Sequence, residues 1–289
     1  MKTLNVIGCG NVGKTLSRVW AQSGALQVRC ILNRSLPSSS RAAEFVGSGR
    51  PVESYRQLES ADIVMISVCD EAVEECCRQL CRAEVLKQGA VLFHCSGALP
   101  AELLAPARDH GARIAAVHPV KSFADPAAAA RSFAGTYCAV EGDPRACDVL
   151  RELLRRSGAI PFDIDAKTKT IYHAATVIVC NYLVALVETG LRCFQQAGVP
   201  RETALRIIKP IVISTANNVF ELGPVGALTG PIARGESSIV QRQVEALGRW
   251  DERIDGVYRG LGRVAVELSA TAGRAGADAL AAIEEILRR

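Results

Sequence analysis

Apolar positions come in short runs over roughly the first 165 residues and in long helical patterns after that. Seven runs have strand length: "LNVIG", "LQVRCILN", "ADIVMISV", "AVLFHCS", "RIAAVHPV", "TYCAVEG" and "IPFDI". Between several of them lie segments such as "DEAVEECCRQLCRAEVL", "PAELLAPARDHG" and "DPRACDVLRELLRRSG", whose apolar residues recur three and four apart. Asp70, Pro100 and Pro144 open these segments as helix-start residues do. Alternating strand and helix periods predict an α/β fold, a doubly wound parallel sheet over residues 1–165.

Beyond Asp165 the strand-like runs stop. "TKTIYHAATVIVCNYLVALVETGLRCFQQAG" reads as one long apolar helix ended by Gly198 and Pro200. "RETALRIIKPIVISTANNVFELG" reads as a helix kinked at Pro210, "GPVGALTGPIARGE" as a loop, and "SIVQRQVEALGRWDERIDGVYRGLGRVAVELSA" as helix again. An all-helical second domain is expected over 166–289. Its first helix is too apolar for an exposed surface and is expected to serve both as a spine of that domain and in a homodimer seam.

With 289 residues, 49% of them hydrophobic, the chain can bury a large core and suits two domains. A net charge of +4, with the arginines scattered, argues against nucleic acid. No run approaches the roughly 18 uninterrupted apolar residues of a membrane span. The N-terminus enters a strand-like pattern instead of a cleavable leader, so a cytoplasmic location without membrane contact is expected. The 11 cysteines contain no C-x-x-C pair. Cys30, Cys69, Cys138 and Cys180 sit in apolar runs as small hydrophobes, so reduced thiols are expected and no metal.

The chemistry begins at Gly8, Gly10 and Gly13, a G-x-G-x-x-G turn between a strand and a helix. The first glycine permits the sharp turn, the second lets the backbone approach a pyrophosphate, and the third lets helix pack on strand. Cys9, Asn11 and Val12 complete the turn, whose amides at a helix N-terminus suit phosphate. About twenty residues on, where an acid would hold the ribose of NAD, the chain reads Asn33, Arg34, Ser35. A guanidinium with small polar neighbours suits a 2′-phosphate, so NADP is expected over NAD.

Ligands of open α/β sheets bind at the carboxyl ends of the strands. There stand Val68 and Cys69 in "SVCD", expected beneath the cofactor; His94, Ser96 and Gly97 in "HCSGAL"; and His118, Lys121 and Ser122 in "HPVKSF". Lys121 at the cleft mouth suits an anion anchor or proton donor. His173 and Asn181 lie on the long helix on one slanting line, with a rise of ~12 Å between them. Thr229 and Arg234 form a polar cluster in the glycine- and proline-rich loop.

"GCGNVG", "HCSGAL", "HPVKSF", "YHAATVIVCNYL" and "LTGPIARG", in this order, resemble the Rossmann-like oxidoreductases with a C-terminal helical domain of unassigned function. That family sits in the 6-phosphogluconate dehydrogenase-like superfamily, with β-hydroxyacid dehydrogenases, pyrroline-carboxylate reductases and ketopantoate reductases. The resemblance implies that Ser96 and Gly97 form a substrate-binding segment and that Asn181 is an active-site asparagine. The catalytic lysine of the hydroxyacid dehydrogenases corresponds to Val177 here, which leaves His173 or Lys121 as proton donor. Some members resemble an alternative ketopantoate reductase. The expected activity is therefore NADPH-dependent reduction of a small anionic 2-oxo acid, with ketopantoate first, His118, Thr229 and Arg234 contacting substrate, and His173, Asn181, Lys121 and Ser96 at the reaction centre. Reduction of a cyclic imine and non-catalytic NADP sensing are the alternatives.

Overall fold

The computed structural model describes residues 1–288 as two units, Met1–Tyr182 and Leu183–Arg289 apart from the last residue. The first unit holds β1 (Lys2–Ile7), α1 (Asn11–Gln22), β2 (Leu26–Leu32), α2 (Leu36–Val46), β3 (Arg50–Val52), β4 (Ile63–Ile66), α3 (Val73–Arg82) and β5 (Val91–His94). It continues with β6 (Arg113–Pro119), α4 (Pro126–Arg131), β7 (Tyr137–Gly142), α5 (Pro144–Arg156), β8 (Ile160–Asp163) and α6 (Lys169–Val179). The strands form one sheet in the order β3-β2-β1-β4-β5-β6-β7-β8. From β1 the chain winds outward in both directions, which places the ends of β1 and β4 at the switch point where such sheets bind ligands.

Side chains alternate across the sheet. Leu4, Val6, Ile63, Met65, Val91 and Phe93 face one core with Leu16 and Trp20 of α1 and Leu150 of α5. Val64, Ile66 and Leu92 face the other with Val73, Cys77 and Leu80 of α3. Central strands buried on both faces read as unbroken apolar runs, which is why they stand out in the sequence.

Several expectations need correction. The sheet has eight strands: three-residue β3 is too short to show a period. It is also mixed, because β6 and β7 run antiparallel. Gly142 sits at that junction with φ +129°, where a β-carbon would stand 2.6 Å from the Ala115 Cα. Residues Ala101–His110 form 3₁₀ turns in place of an α-helix, with Pro106 inside them. Proline lacks the amide an α-helix needs at that point.

The long apolar helix is broken. α6 ends at Val179, Cys180 has φ −109° and ψ −67°, and α7 (Asn181–Gln196) follows. The Thr176 hydroxyl donates to the His173 carbonyl, a back-bond that bends helices. His173 and Asn181 therefore do not share one continuous helix face. Nor is this segment a buried spine. Residues 166–196 are long and apolar enough to cross a membrane by length and composition, and none of their most apolar window is buried. Ile171 and Val179 are each 72% exposed and Val184 71%. The first unit also runs past the change of rhythm near 165, because Lys169 Nζ is buried against Glu141 Oε1 of β7 at 3.1 Å.

The second unit comprises most of α7 with α8 (Arg201–Ala227), α9 (Ser237–Trp250), α10 (Glu252–Ala272) and α11 (Ala277–Arg288). α8 passes through Pro210 and bends instead at Gly223, whose φ of +71° is non-helical. Residues 224–227, expected in a loop, belong to that helix. Asp251 divides the last expected helix into α9 and α10, accepting from the Arg253 amide as a cap. Val240, Val244, Leu280, Ile283 and Leu287 form this unit's main core.

Candidate functional site

The glycine turn is bonded to both neighbouring strands. Gly8 N–H donates to the Leu32 carbonyl at 2.8 Å, Ser67 N–H to the Ile7 carbonyl at 2.8 Å, and Ser67 Oγ to the Gly8 carbonyl at 2.8 Å. Gly8 has φ +77°, and a β-carbon on it would collide with Val68 Cγ1. A β-carbon on Gly13 would collide with Ser67 Oγ. A β-carbon on Gly10 would meet nothing within 4 Å. Two glycines thus let α1 pack against the end of β4, and the middle one faces open space.

α1 begins there with Gly10 as N-cap, no side-chain cap and no acid in its first turn. Its leading amides are left for a bound group and the helix dipole favours an anion. They border a groove of about 620 Å³ lined by Gly8, Cys9, Gly10, Asn33, Arg34, Val68 and Cys69. Among the described residues Arg34 has no partner, so its guanidinium is available. Open space at Gly10, uncapped amides and a free guanidinium fit a phosphorylated dinucleotide.

The side chains of the other expected cofactor residues have partners within the protein or line neighbouring surfaces. Asn33 lines the groove and also braces the turn: its Oδ1 accepts from Cys9 N–H at 2.6 Å and its Nδ2 donates to the Ser38 carbonyl at 3.0 Å. Asn11 Nδ2 donates to the Phe123 carbonyl at 2.7 Å, and Ser35 is the N-cap of α2. Val12 lines the second cavity described below, and Gly13 packs on Ser67. Glu53 and Tyr55, brought to the groove by β3, and Ser38 were not expected there. Burial pushes the Cys9 thiol up to about 12, so it stays a thiol.

Ser67 and Val68 also line a second cavity of about 330 Å³, with Asp70, Ser96, Gly97, His118, Lys121 and His173. Four expected site residues, Ser96, His118, Lys121 and His173, meet here. Ser96 Oγ accepts from the amides of Ala98 and Leu99 at 3.2 and 3.0 Å, which leaves its O–H to donate. Lys121 Nζ donates to the Ser132 carbonyl at 2.9 Å. The His173 ring packs edge-on against His118 at 5.5 Å, and neither of its nitrogens makes a hydrogen bond among the described residues.

His94 lies beneath, fully buried. Its Nδ1 accepts from Ser96 N–H at 3.2 Å, so its Nε2–H donates to the Pro100 carbonyl at 3.1 Å. Burial, then the Lys169 charge, push it down to about 4. His94 is thus a neutral brace for the Ser96–Pro100 turn. Glu141 Oε1 accepts from Ala101 N–H at 2.7 Å as well as from Lys169, which ties that turn to the start of α6. Burial lowers the Lys169 pKa, and Glu141 opposes the shift.

Asn181 is exposed at the start of α7 and does not line the cavity. Thr229 and Arg234 belong to the second unit. Thr229 lines an apolar cavity of about 580 Å³ there, and Arg234 pairs with Glu236 at 2.8 Å. Tyr172 was missed: its hydroxyl lies 2.9 Å from His118 Nδ1. The tyrosine beside His173 in "YHAA" was its one sequence signal.

Residues 2–119 match the model of a Rossmann-like domain, and residues 136–265 match that of a domain of unknown function, DUF2520. The chain joins a Rossmann-like domain to a DUF2520 domain. The DUF2520 match starts before β7 and ends within α10, so it takes in the last two strands of the sheet along with α5 to α9. No curated protein matches this Rossmann-like DUF2520 chain. Among solved structures, protein TM1727 from Thermotoga maritima is similar with a TM-score of 0.73 and 24% identity, over 94% of this chain and 100% of that one. The imine reductase from Myxococcus stipitatus in complex with NADP+ gives 0.64 and 18%, over 99% and 100%. A pyrroline-5-carboxylate reductase from Coxiella burnetii gives 0.58 and 16%, over 99% and 98%. At these identities the likeness is one of fold.

Proposed function

We propose that this Rossmann-like DUF2520 protein is an NADP-dependent oxidoreductase that reduces a small polar substrate. One observation carries the reading: Ser67 and Val68 line both the phosphate-ready groove and the cavity of His118 and His173. The α1 amides hold the pyrophosphate, and Arg34 holds a 2′-phosphate. NADPH supplies hydride when bound. The Ser96 O–H orients the acceptor group. His173, whose nitrogens have no hydrogen bond among the described residues, gives the proton, while Lys121 attracts the substrate's anionic end from the cavity wall. The imine and pyrroline-5-carboxylate reductases among the fold neighbours, with the NADP+ named for the former, support the cofactor and the reaction class.

For the substrate we put a 2-oxo acid first, ketopantoate being the specific candidate, with Lys121 as the carboxylate partner. Reduction of a cyclic imine is the second reading, favoured by the activities named for those two neighbours. We further propose a homodimer through exposed apolar residues of α6 and of α7, acting in the cytoplasm. A second copy suits this face better than a bilayer. Lys169 docks one end of the segment on β7, and Leu191 packs the other against Ala204 and Ile208 of α8.

The test mixes pure protein with NADPH and a panel containing ketopantoate and pyrroline-carboxylate while absorbance of the reduced nicotinamide is followed. Turnover of either names the class. Tight NADPH binding without oxidation of any compound would turn the reading to a sensor, and no binding at millimolar cofactor would end it.

A further inference from the structure

His118 stands one residue before the end of β6, with its ring against two neighbouring residues of α6. Tyr172 stands edge-on at 5.6 Å between ring centroids with its hydroxyl 2.9 Å from Nδ1, and His173 stands edge-on at 5.5 Å. Phe162 of β8 backs Tyr172 at 6.1 Å. The opposite nitrogen, Nε2, comes so near Gly97 that a β-carbon there would lie 2.8 Å from it. One nitrogen is therefore bound to a phenol, and the other lies on the side that borders the cavity.

A neutral imidazole carries one N–H, and the hydrogen bond at one nitrogen decides which. The charged and titratable groups facing this ring are His173 and Lys169 from α6 and Asp70 from the turn after β4. Burial, then the two basic neighbours, push His118 down to about 4 against the opposing pull of Asp70, so it is neutral at pH 7. Burial also raises Tyr172 to about 12, so the phenol keeps its proton. Nδ1 is the sole hydrogen-bond partner of that hydroxyl among the described residues.

We propose that Tyr172 is a positioning residue whose O–H donates to His118 Nδ1, thereby holding the tautomer that presents Nε2–H to the cavity. On the reductase reading above, His118 is then a neutral electrophile. Its N–H meets the negative charge that grows on a carbonyl oxygen as hydride arrives, and it needs no charging of the ring. The same donor opposes the N–H of a protonated imine, so the Tyr172–His118 pair selects oxo substrates over iminium ones.

Long-range ¹H–¹⁵N spectra of the histidine rings test this directly, since the chain has only 4 histidines and His118→Gln assigns the signal. The expected wild-type ring is neutral and protonated on Nε2 at pH 7. In Tyr172→Phe it becomes a mixture of tautomers, while kcat/KM for an oxo substrate falls on the order of a hundredfold and NADPH affinity is unchanged. An Nδ1-protonated ring in the wild type, or unchanged ring signals in Tyr172→Phe, overturns the proposal. Should that variant not fold, the wild-type spectrum alone decides. Absence of turnover with every substrate would remove the reductase reading and leave the tautomer result standing.

Discussion

Gly97 touches His173 so closely that a β-carbon on it would collide with the ring's Cδ2. The missing side chain is what allows two imidazoles to meet over the turn after β5. Gly97→Ala should displace both the His173 and the His118 rings, lowering kcat by at least tenfold while the NADPH dissociation constant stays within twofold, because Gly97 does not line the α1 groove. Paired cofactor titrations and steady-state rates check this; unaltered turnover would show that the two rings are not at the reaction centre.

Arg34 lines the groove with no partner among the described residues, so its loss disturbs no ion pair among them. A charge-assisted bond to phosphate contributes about 1.5–3 kcal/mol. Arg34→Ala should therefore weaken NADPH by about 10- to 100-fold and leave NADH nearly unchanged. Equal losses for both cofactors in calorimetry would remove the 2′-phosphate from the account.

His94 and His118 are both pushed from 6.5 down to about 4 by burial. A group with a depressed folded-state pKa contributes stability that is present above its unfolded value and lost as pH falls through the folded one. The unfolded chain takes up protons first here, so stability should hold from pH 8 to 7 and fall between 6.5 and 4, by about 3 kcal/mol for each full shift. Urea unfolding at pH 7 and 4.5 measures the fall, and His118→Gln should make it smaller. A pH-independent midpoint would contradict the neutral, enclosed placement of both rings.

Val179 and Val184 are exposed apolar residues on α6 and α7, so charging them costs the monomer little. Sedimentation should give twice the chain mass for the wild type and the chain mass for Val179→Glu/Val184→Glu. One and the same monomer mass for both would leave the apolar face without its second copy.

The glycine turn, the alternation of strands and helices and the gathering of Ser96, His118 and Lys121 were legible because each follows from local pattern plus the rule that ligands sit at strand ends. What escaped depended on distant partners. β3 has too few residues for a period, yet it brings Glu53 and Tyr55 to the groove. Pro210 suggested a kink, but α8 absorbs it and bends at Gly223, where the positive φ is available. Asn33 read as a ligand group, and the structure adds a bracing role, since its carboxamide also bonds Cys9 and Ser38. Tyr172 gained its meaning only when β6 placed His118 beside it.

Glu141 Oε1 receives both the Ala101 amide and the Lys169 ammonium. Two stretches that border the histidine cavity, far apart in sequence, thus share one oxygen atom as acceptor. A shift of β7 would reach both at once, so the Ser96–Pro100 turn and the start of α6 would move together.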